Sequence, residues 1–271
     1  MALPVALQLY SVRDNMEADF EGTLKKVHEL GYQGVEFAGL FGHSASEVKA
    51  LCEKYSLVPI SAHVPLVDMI ADTEGVLNTY KEIGCKFIVV PYVTEERRPG
   101  AEKFDETVED ITRIGAYAHK IGLTLLYHNH DFEFVKLGDE IGLDVLYNRV
   151  PKDCLETEID VCWANVGGVD PAKYVLKYTG RAPVVHLKDF AGVPKGRLYA
   201  LIGLDEDDKS SSSTFEFRPV GYGKQEMPGI LDASVKAGAS WVVVEQDNPS
   251  MNKTPLECAE MSRNYLKTLG W

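Results

Sequence analysis

Four stretches of the chain end alike: "ELGYQGVEF" at 29–37, "EIGCKFIVV" at 82–90, "KIGLTLLYH" at 120–128 and "KAGASWVVVE" at 236–245. Each reads as a last helical turn, a glycine suited to the left-handed conformation that ends a helix, and a short apolar strand. The same alternation runs through the rest of the sequence. Strand-like runs occupy Val5–Tyr10, Gly34–Phe37, Val58–His63, Phe87–Pro91, Leu123–His128, Glu156–Val161, Val184–Lys188 and Trp241–Glu245. Helical patterns lie near 17–30, 44–55, 73–84, 102–121, 139–148, 171–178, 226–237 and 255–268. Ser44 with Glu47 has the spacing of a capping box, and Gly31, Gly84, Gly122 and Gly238 stand where helices should stop. Eight βα units repeating every ~25 to 37 residues, with near-continuous apolar strands, predict a parallel sheet closed on itself. The expected fold is α/β, a single-domain (β/α)8 TIM barrel over residues 1–271. An open doubly wound sheet is the alternative, and the count of eight favours the barrel.

Composition narrows the function. Apolar residues make up 45% of the 271, enough for a large core, and the net charge is −13. A nucleic-acid binder must meet phosphates with clustered Lys and Arg, whereas here 41 acids face 28 bases with no dense basic run. Nucleic acid and anionic membranes are therefore not expected as partners. No phosphate cradle of the GxxxxGK[ST] or GxGxxG type occurs, so a neutral, hydroxyl-rich substrate is expected. No apolar run reaches membrane-spanning length, and the N-terminus enters a strand at once without the basic start of a signal peptide. Cys52, Cys85, Cys154, Cys162 and Cys258 are dispersed and odd in number, which reads as free thiols in a cytoplasmic protein.

One interval breaks the rhythm. A polar insertion at about 191–222, between strand seven and helix seven, contains "GLDEDDKSSSSTFEF" at 203–217, which is too polar to pack as core. It reads equally as a surface insertion or as a lid over the active-site face.

Barrel chemistry gathers at the C-terminal ends of the strands. This sequence places a polar group at nearly every such end: Gln8, Glu36, His63, the run His128 to Glu133, Glu158 and Asp160, His186 with Lys188 and Asp189, and Glu245 with Gln246. Burying so many ionisable groups costs several kcal/mol each unless they are paired or bound to a cation. Asp160, His186 and Glu245 fall on strands six, seven and eight, neighbours in a closed barrel. With one more ligand from strand five they would hold one divalent ion: Mn, Co, Zn or Mg, with Mn or Zn favoured.

The segments "YHNHDFEF" at 127–134, "EIDVCWANVGGVDP" at 158–171, "GRAPVVHLKD" at 180–189, "VGYGKQEM" at 220–227 and "VVVEQD" at 242–247 resemble the xylose isomerase-like barrel superfamily. That group includes sugar phosphate isomerases and epimerases and inosose dehydratases, and the similarity covers essentially the whole chain. The resemblance implies a metal held by Glu, Asp, His and Glu from strands five to eight. The last three map onto Asp160, His186 and Glu245. At the first, many epimerases read "ENH" where this chain has His128-Asn129-His130. Either His128 takes the place or Glu133 turns back to it. Glu133 is preferred, because a third carboxylate would suit a hard divalent ion.

A cation so placed would polarise a carbonyl and stabilise the enediolate left when the adjacent proton departs. His128, His130, Glu245 and Lys188 are the candidate catalytic residues. Gln8, Glu36, His63, Asn129 and Trp163 are the candidate substrate-binding residues. The expected activity is that of a metal-dependent isomerase or epimerase acting on a sugar or cyclitol, possible as a homo-oligomer. Inosose dehydration and 3-keto-glycoside cleavage use the same site and are the alternative. A non-catalytic sugar-binding barrel is a second alternative. An endonuclease IV-like phosphodiesterase is disfavoured by the charge.

Overall fold

A computed structural model describes residues 2–194, 198 and 214–271 of the chain. Eight parallel strands close into a barrel in sequence order: β1 (Val5–Gln8), β2 (Gly34–Phe37), β3 (Val58–His63), β4 (Phe87–Val90), β5 (Thr124–His128), β6 (Glu156–Asp160), β7 (Val184–Leu187) and β8 (Trp241–Val244). β8 pairs back onto β1, with Val5 opposite Val242. The expected α/β barrel is the observed one.

The local chemistry accounts for the boundaries. Ser44 and Glu47 form the capping box of helix Ala45–Lys54. Gly31, Gly84 and Gly238 take the left-handed conformation at helix ends, at φ of 93°, 107° and 82°. The single helix expected at 17–30 is two, Arg13–Ala18 and Phe20–Leu30, because Asp19 leaves helical geometry to accept the amide N–H of Gly22. Helices Leu66–Ala71 and Val161–Val166 add to the expected ones, the second starting at Val161, which was expected to end a strand. A hairpin of Lys136–Leu137 and Glu140–Ile141 precedes helix Gly142–Arg149.

Two apolar layers hold the barrel. The larger lies between the strands and the surrounding helices, while a small inner plug consists of Ala6, Ile60, Phe87, Val89, Leu126, Val184 and Val243. Successive strand residues face opposite sides. Two positions beyond plug residues on β1, β5, β7 and β8 therefore come Gln8, His128, His186 and Glu245, again pointing inward at the C-terminal mouth. This alternation, apolar plug and then ionisable tip, is what converges the polar groups.

Helix Phe104–Lys120 packs so closely on the turn before β6 that a Cβ on Gly115 would stand 1.8 Å from the carbonyl oxygen of Cys154. Backbone cannot yield as a side-chain tip can. Gly115→Ala is expected to lower stability by about 3 kcal/mol or more, read as a fall in the midpoint of chemical denaturation.

The insertion expected at 191–222 lies in large part, at 195–197 and 199–213, outside the described residues. Its flanks, Asp189–Ala191 and Glu216–Arg218, pair as an antiparallel ribbon. Asp189 fastens the base of this ribbon: its carboxylate accepts the backbone N–H of Phe190, Gly221, Gly223 and Gln225. Among the described residues no helix is long and apolar enough to cross a membrane, and all five cysteines are buried free thiols.

Candidate metal centre and catalytic cavity

The C-terminal mouth of the barrel opens into a cavity of about 510 Å³. The ionisable part of its lining comes from the ends of β5, β7 and β8 through His128, His130, Lys188, Glu245 and Asp247. Tyr10, Ala38, His63, Asp68 and Tyr92 build the facing wall.

His128, Asp160, His186 and Glu245 bring one ligand atom each to within 4.8 Å of one another, all buried. His128 Nε2 lies 3.5 Å from Asp160 Oδ2 and 3.6 Å from Glu245 Oε2. Those gaps are too long for good hydrogen bonds. They match a cation instead, since ligand atoms bonded tetrahedrally at about 2.1 Å stand roughly 3.4 Å apart. Neither ring nitrogen of His128 nor Oδ2 of Asp160 has a hydrogen-bond partner although both residues are buried. A divalent ion would satisfy His128 Nε2 and Asp160 Oδ2 together. The other oxygen of Asp160 caps helix Val161–Val166 by accepting the N–H of Trp163 at 2.8 Å, which leaves Oδ2 for the ion. Two imidazoles and two carboxylates make a borderline site suited to Zn, Co or Mn.

Lys188 stands beside this set, 1% exposed, its Nζ 2.8 Å from Glu245 Oε2, 2.9 Å from Asp247 Oδ2 and 3.5 Å from Asp160 Oδ2. Burial works against its charge, but Asp247, Glu245 and Asp160 outweigh it and hold the pKa well above the usual lysine value. His130 differs. Burial, and then the neighbouring charges of His128 and Lys188, push its pKa well below that of an ordinary histidine, so it stays neutral. Its ring is stacked on Phe132 at 5.1 Å and flanked by Trp163 at 5.4 Å.

Several expected positions lie elsewhere. The Glu133 carboxylate does not reach the metal set: the short helical turn Phe132–Phe134 folds it beneath β5, where it accepts the Tyr127 hydroxyl at 2.6 Å and the His130 N–H at 2.8 Å. The strand-five residue brought to the ligand set is His128. Gln8, Glu36, Asn129 and Trp163, expected to bind substrate, are each 0% exposed. Gln8 donates to Glu36, which is enclosed by further donors. Asn129 spends both ends of its amide on the backbone of Asp160. Trp163 packs with Cys162, Phe190, Leu198, Phe215 and Phe217. Of that group only His63 lines the cavity. The sequence reading missed Tyr10, Asp68, Tyr92 and Asp247. Asp247 carried a usable signal, since it follows Glu245 by two, whereas Asp68 sits on the helix Leu66–Ala71, outside the elements expected from the sequence.

Burial raises the Glu133 carboxyl to about 7, against the lowering effect of its Tyr127 and His130 hydrogen bonds. An acid whose folded pKa is raised favours the native state while protonated, and that advantage fades as pH climbs from about 4.5 to 7. Glu133→Gln stays neutral throughout. It should therefore gain up to about 3 kcal/mol on the wild type between pH 5 and pH 8, measurable by denaturant titration at both pH values.

Ionisable strand tips around a cavity at the C-terminal mouth define the enzyme-type (β/α)8 barrel. The sequence profile of the xylose isomerase-like TIM barrel family matches residues 24–269, and the chain belongs to that family. An inosose dehydratase of Geobacillus kaustophilus is 23% identical over 270 residues, covering 91% of this chain and 86% of the relative. The sugar phosphate isomerase/epimerase of Parabacteroides distasonis superposes with a TM-score of 0.77 at 19% identity, covering 98% of this chain and 94% of the other. A structure described as IOLI protein with a binding zinc atom superposes at 0.72 with 18% identity, covering 99% and 98%.

Proposed function

We propose that the protein is an enzyme that removes a proton from the carbon beside a carbonyl on a polyhydroxylated ring, a keto-cyclitol or keto-sugar, and then eliminates the β-hydroxyl or alkoxyl group. The observation that carries this reading is the convergence of His128, Asp160, His186 and Glu245 beside the Lys188 ammonium in one cavity. A divalent ion held by those four residues would supply Lewis acidity toward the carbonyl and a neighbouring hydroxyl. Lys188 donates a hydrogen bond to the oxygen that gains charge as the proton leaves. His130, neutral and on the cavity wall, accepts that proton, and its imidazolium returns it to the departing hydroxyl so that water or an alcohol is released.

Elimination is favoured over epimerisation by the strand-five position. A two-carboxylate epimerase exchanges protons on opposite faces of the substrate, and here a histidine stands where the first carboxylate would be. The inosose dehydratases among the relatives support the same direction. Zinc, manganese or cobalt is the ion proposed.

Incubation with a panel of inososes and ketoses in D2O tests this reading. Deuterium should enter the carbon next to the carbonyl of the true substrate class, and an enone absorbance should appear as it is consumed. Exchange without elimination restores the isomerase or epimerase reading. No exchange from any member of the panel, by protein carrying one metal per chain, rejects proton abstraction.

A further inference from the structure

Sharing His186 with the ligand set, here the upper set, is a second ring of four groups, here the lower ring, of which His63 alone lines the cavity. Glu36 Oε1, Glu158 Oε2, His63 Nε2 and His186 Nε2 alternate around it, with N···O distances of 2.7 and 3.1 Å from His63 and of 2.7 and 3.2 Å from His186. The His63 and His186 rings are stacked at 5.3 Å and 9°. His186 belongs to both layers: Nδ1 faces Glu245 Oε2 at 3.1 Å in the upper set, and Nε2 faces Glu36 in the lower.

We infer that Glu36 is a positioning residue for the metal centre, fixing His186 with its Nε2 proton pointing down and its Nδ1 lone pair pointing up at the cation. The inference rests on the reading of His186 as a ligand.

Of the two imidazoles that face Glu36, His186 is the nearer, at 2.7 Å against 3.1 Å for His63. The Glu36 carboxylate is 0% exposed and does not line the cavity, so it does not touch substrate. Oε1 receives Gln8 Nε2 at 2.7 Å and both histidine nitrogens, while Oε2 receives the Ser61 hydroxyl. The backbone is bent to make this possible. Pairing of β2 with β3 skips a residue between Val35 and Glu36, so that Glu36 stands opposite Ser61 rather than Ile60. Irregularities of this kind re-aim side chains beside active sites. A carboxylate fully supplied with donors is a fixed acceptor, and a fixed acceptor on one imidazole nitrogen decides which tautomer the ring adopts. With Nε2 protonated, Nδ1 is the bare nitrogen, and it faces the upper set. The same proton bars His186 Nε2 from serving as a ligand in the lower ring. That ring is therefore a hydrogen-bonded support and not a second metal site.

Glu36→Gln retains size and can direct its amide oxygen to the histidines and its NH2 to Ser61, whose hydroxyl turns to accept. Only the charge is lost. The zinc affinity of the chelator-stripped protein should fall about 10- to 100-fold, while the melting temperature of the metal-free protein stays close to that of the wild type. In the 15N-labelled, zinc-loaded protein the downfield Nε2–H resonance of His186 should move upfield in the variant. Zinc affinity within twofold of the wild type, or an unmoved resonance, overturns the inference. So does metal analysis showing two ions per wild-type chain with the second lost in E36Q, because the ring would then itself bind a cation. His186→Ala serves as the separate control. If that variant still binds zinc as the wild type does, the ligand assignment fails, whatever Glu36 does.

Discussion

Lys188→Met lowers kcat/KM by about 10²- to 10³-fold while the protein keeps its metal, the loss typical of removing one donor to a developing oxyanion. Methionine fills the same volume and cannot donate. Lys188 is held by Glu245, Asp247 and Asp160 and has Trp163 and Phe217 at 5.5 Å from its Nζ. In the proposed mechanism it would meet substrate already oriented and stripped of water, the condition under which a charge acts most strongly. The metal content of K188M distinguishes this role from a structural one. With the ammonium gone, two of the ligand carboxylates lose a competing cation, so metal affinity should hold or rise. Activity within tenfold of the wild type, at full metal occupancy, would remove Lys188 from the mechanism.

His186→Ala has the larger effect. It takes an imidazole from the ligand set and leaves Glu36, Glu158 and Glu245 facing a cavity. Activity should fall to background and bound metal with it. A ligand that binds only the native state stabilises it by RT ln(1 + [L]/Kd), about 4 kcal/mol at a thousandfold excess over Kd. Adding EDTA to the wild type should therefore lower its melting temperature toward that of the metal-free form. The H186A variant should melt at one temperature with or without chelator. An EDTA-sensitive melt in H186A would place the metal elsewhere.

The barrel was legible because its signals are local and repeated. Gly31, Gly84 and Gly238 each end a helix within a few residues of the strand that follows, and the spacing needs no long-range information. Asp160, His186 and Glu245 were legible as a set because neighbouring strand numbers become neighbouring strands once the barrel closes. Positions just beyond a strand were not. Nothing in "YHNHDFEF" tells that the turn at Phe132–Phe134 folds Glu133 under Tyr127 rather than over the ion. Trp163 looked available for a sugar ring because its cover, Phe215 and Phe217, comes from a ribbon far along the chain. Glu36 looked available for a hydroxyl because the skipped pairing that buries it against His186 leaves no trace in a pattern of apolar and polar letters.

At the tips of β5 and β6 the main-chain ladder has run out, and the side chain of Asn129 takes over. Its oxygen accepts the N–H of Asp160 and its NH2 reaches the Asp160 carbonyl, as a peptide group in an adjoining strand would. The separation between the two strands there is set by one replaceable amide rather than by the scaffold. With a cation held as proposed, the bite of His128 and Asp160 would be open to retuning, toward a larger or smaller ion, by changing a single residue that lies outside the ligand set.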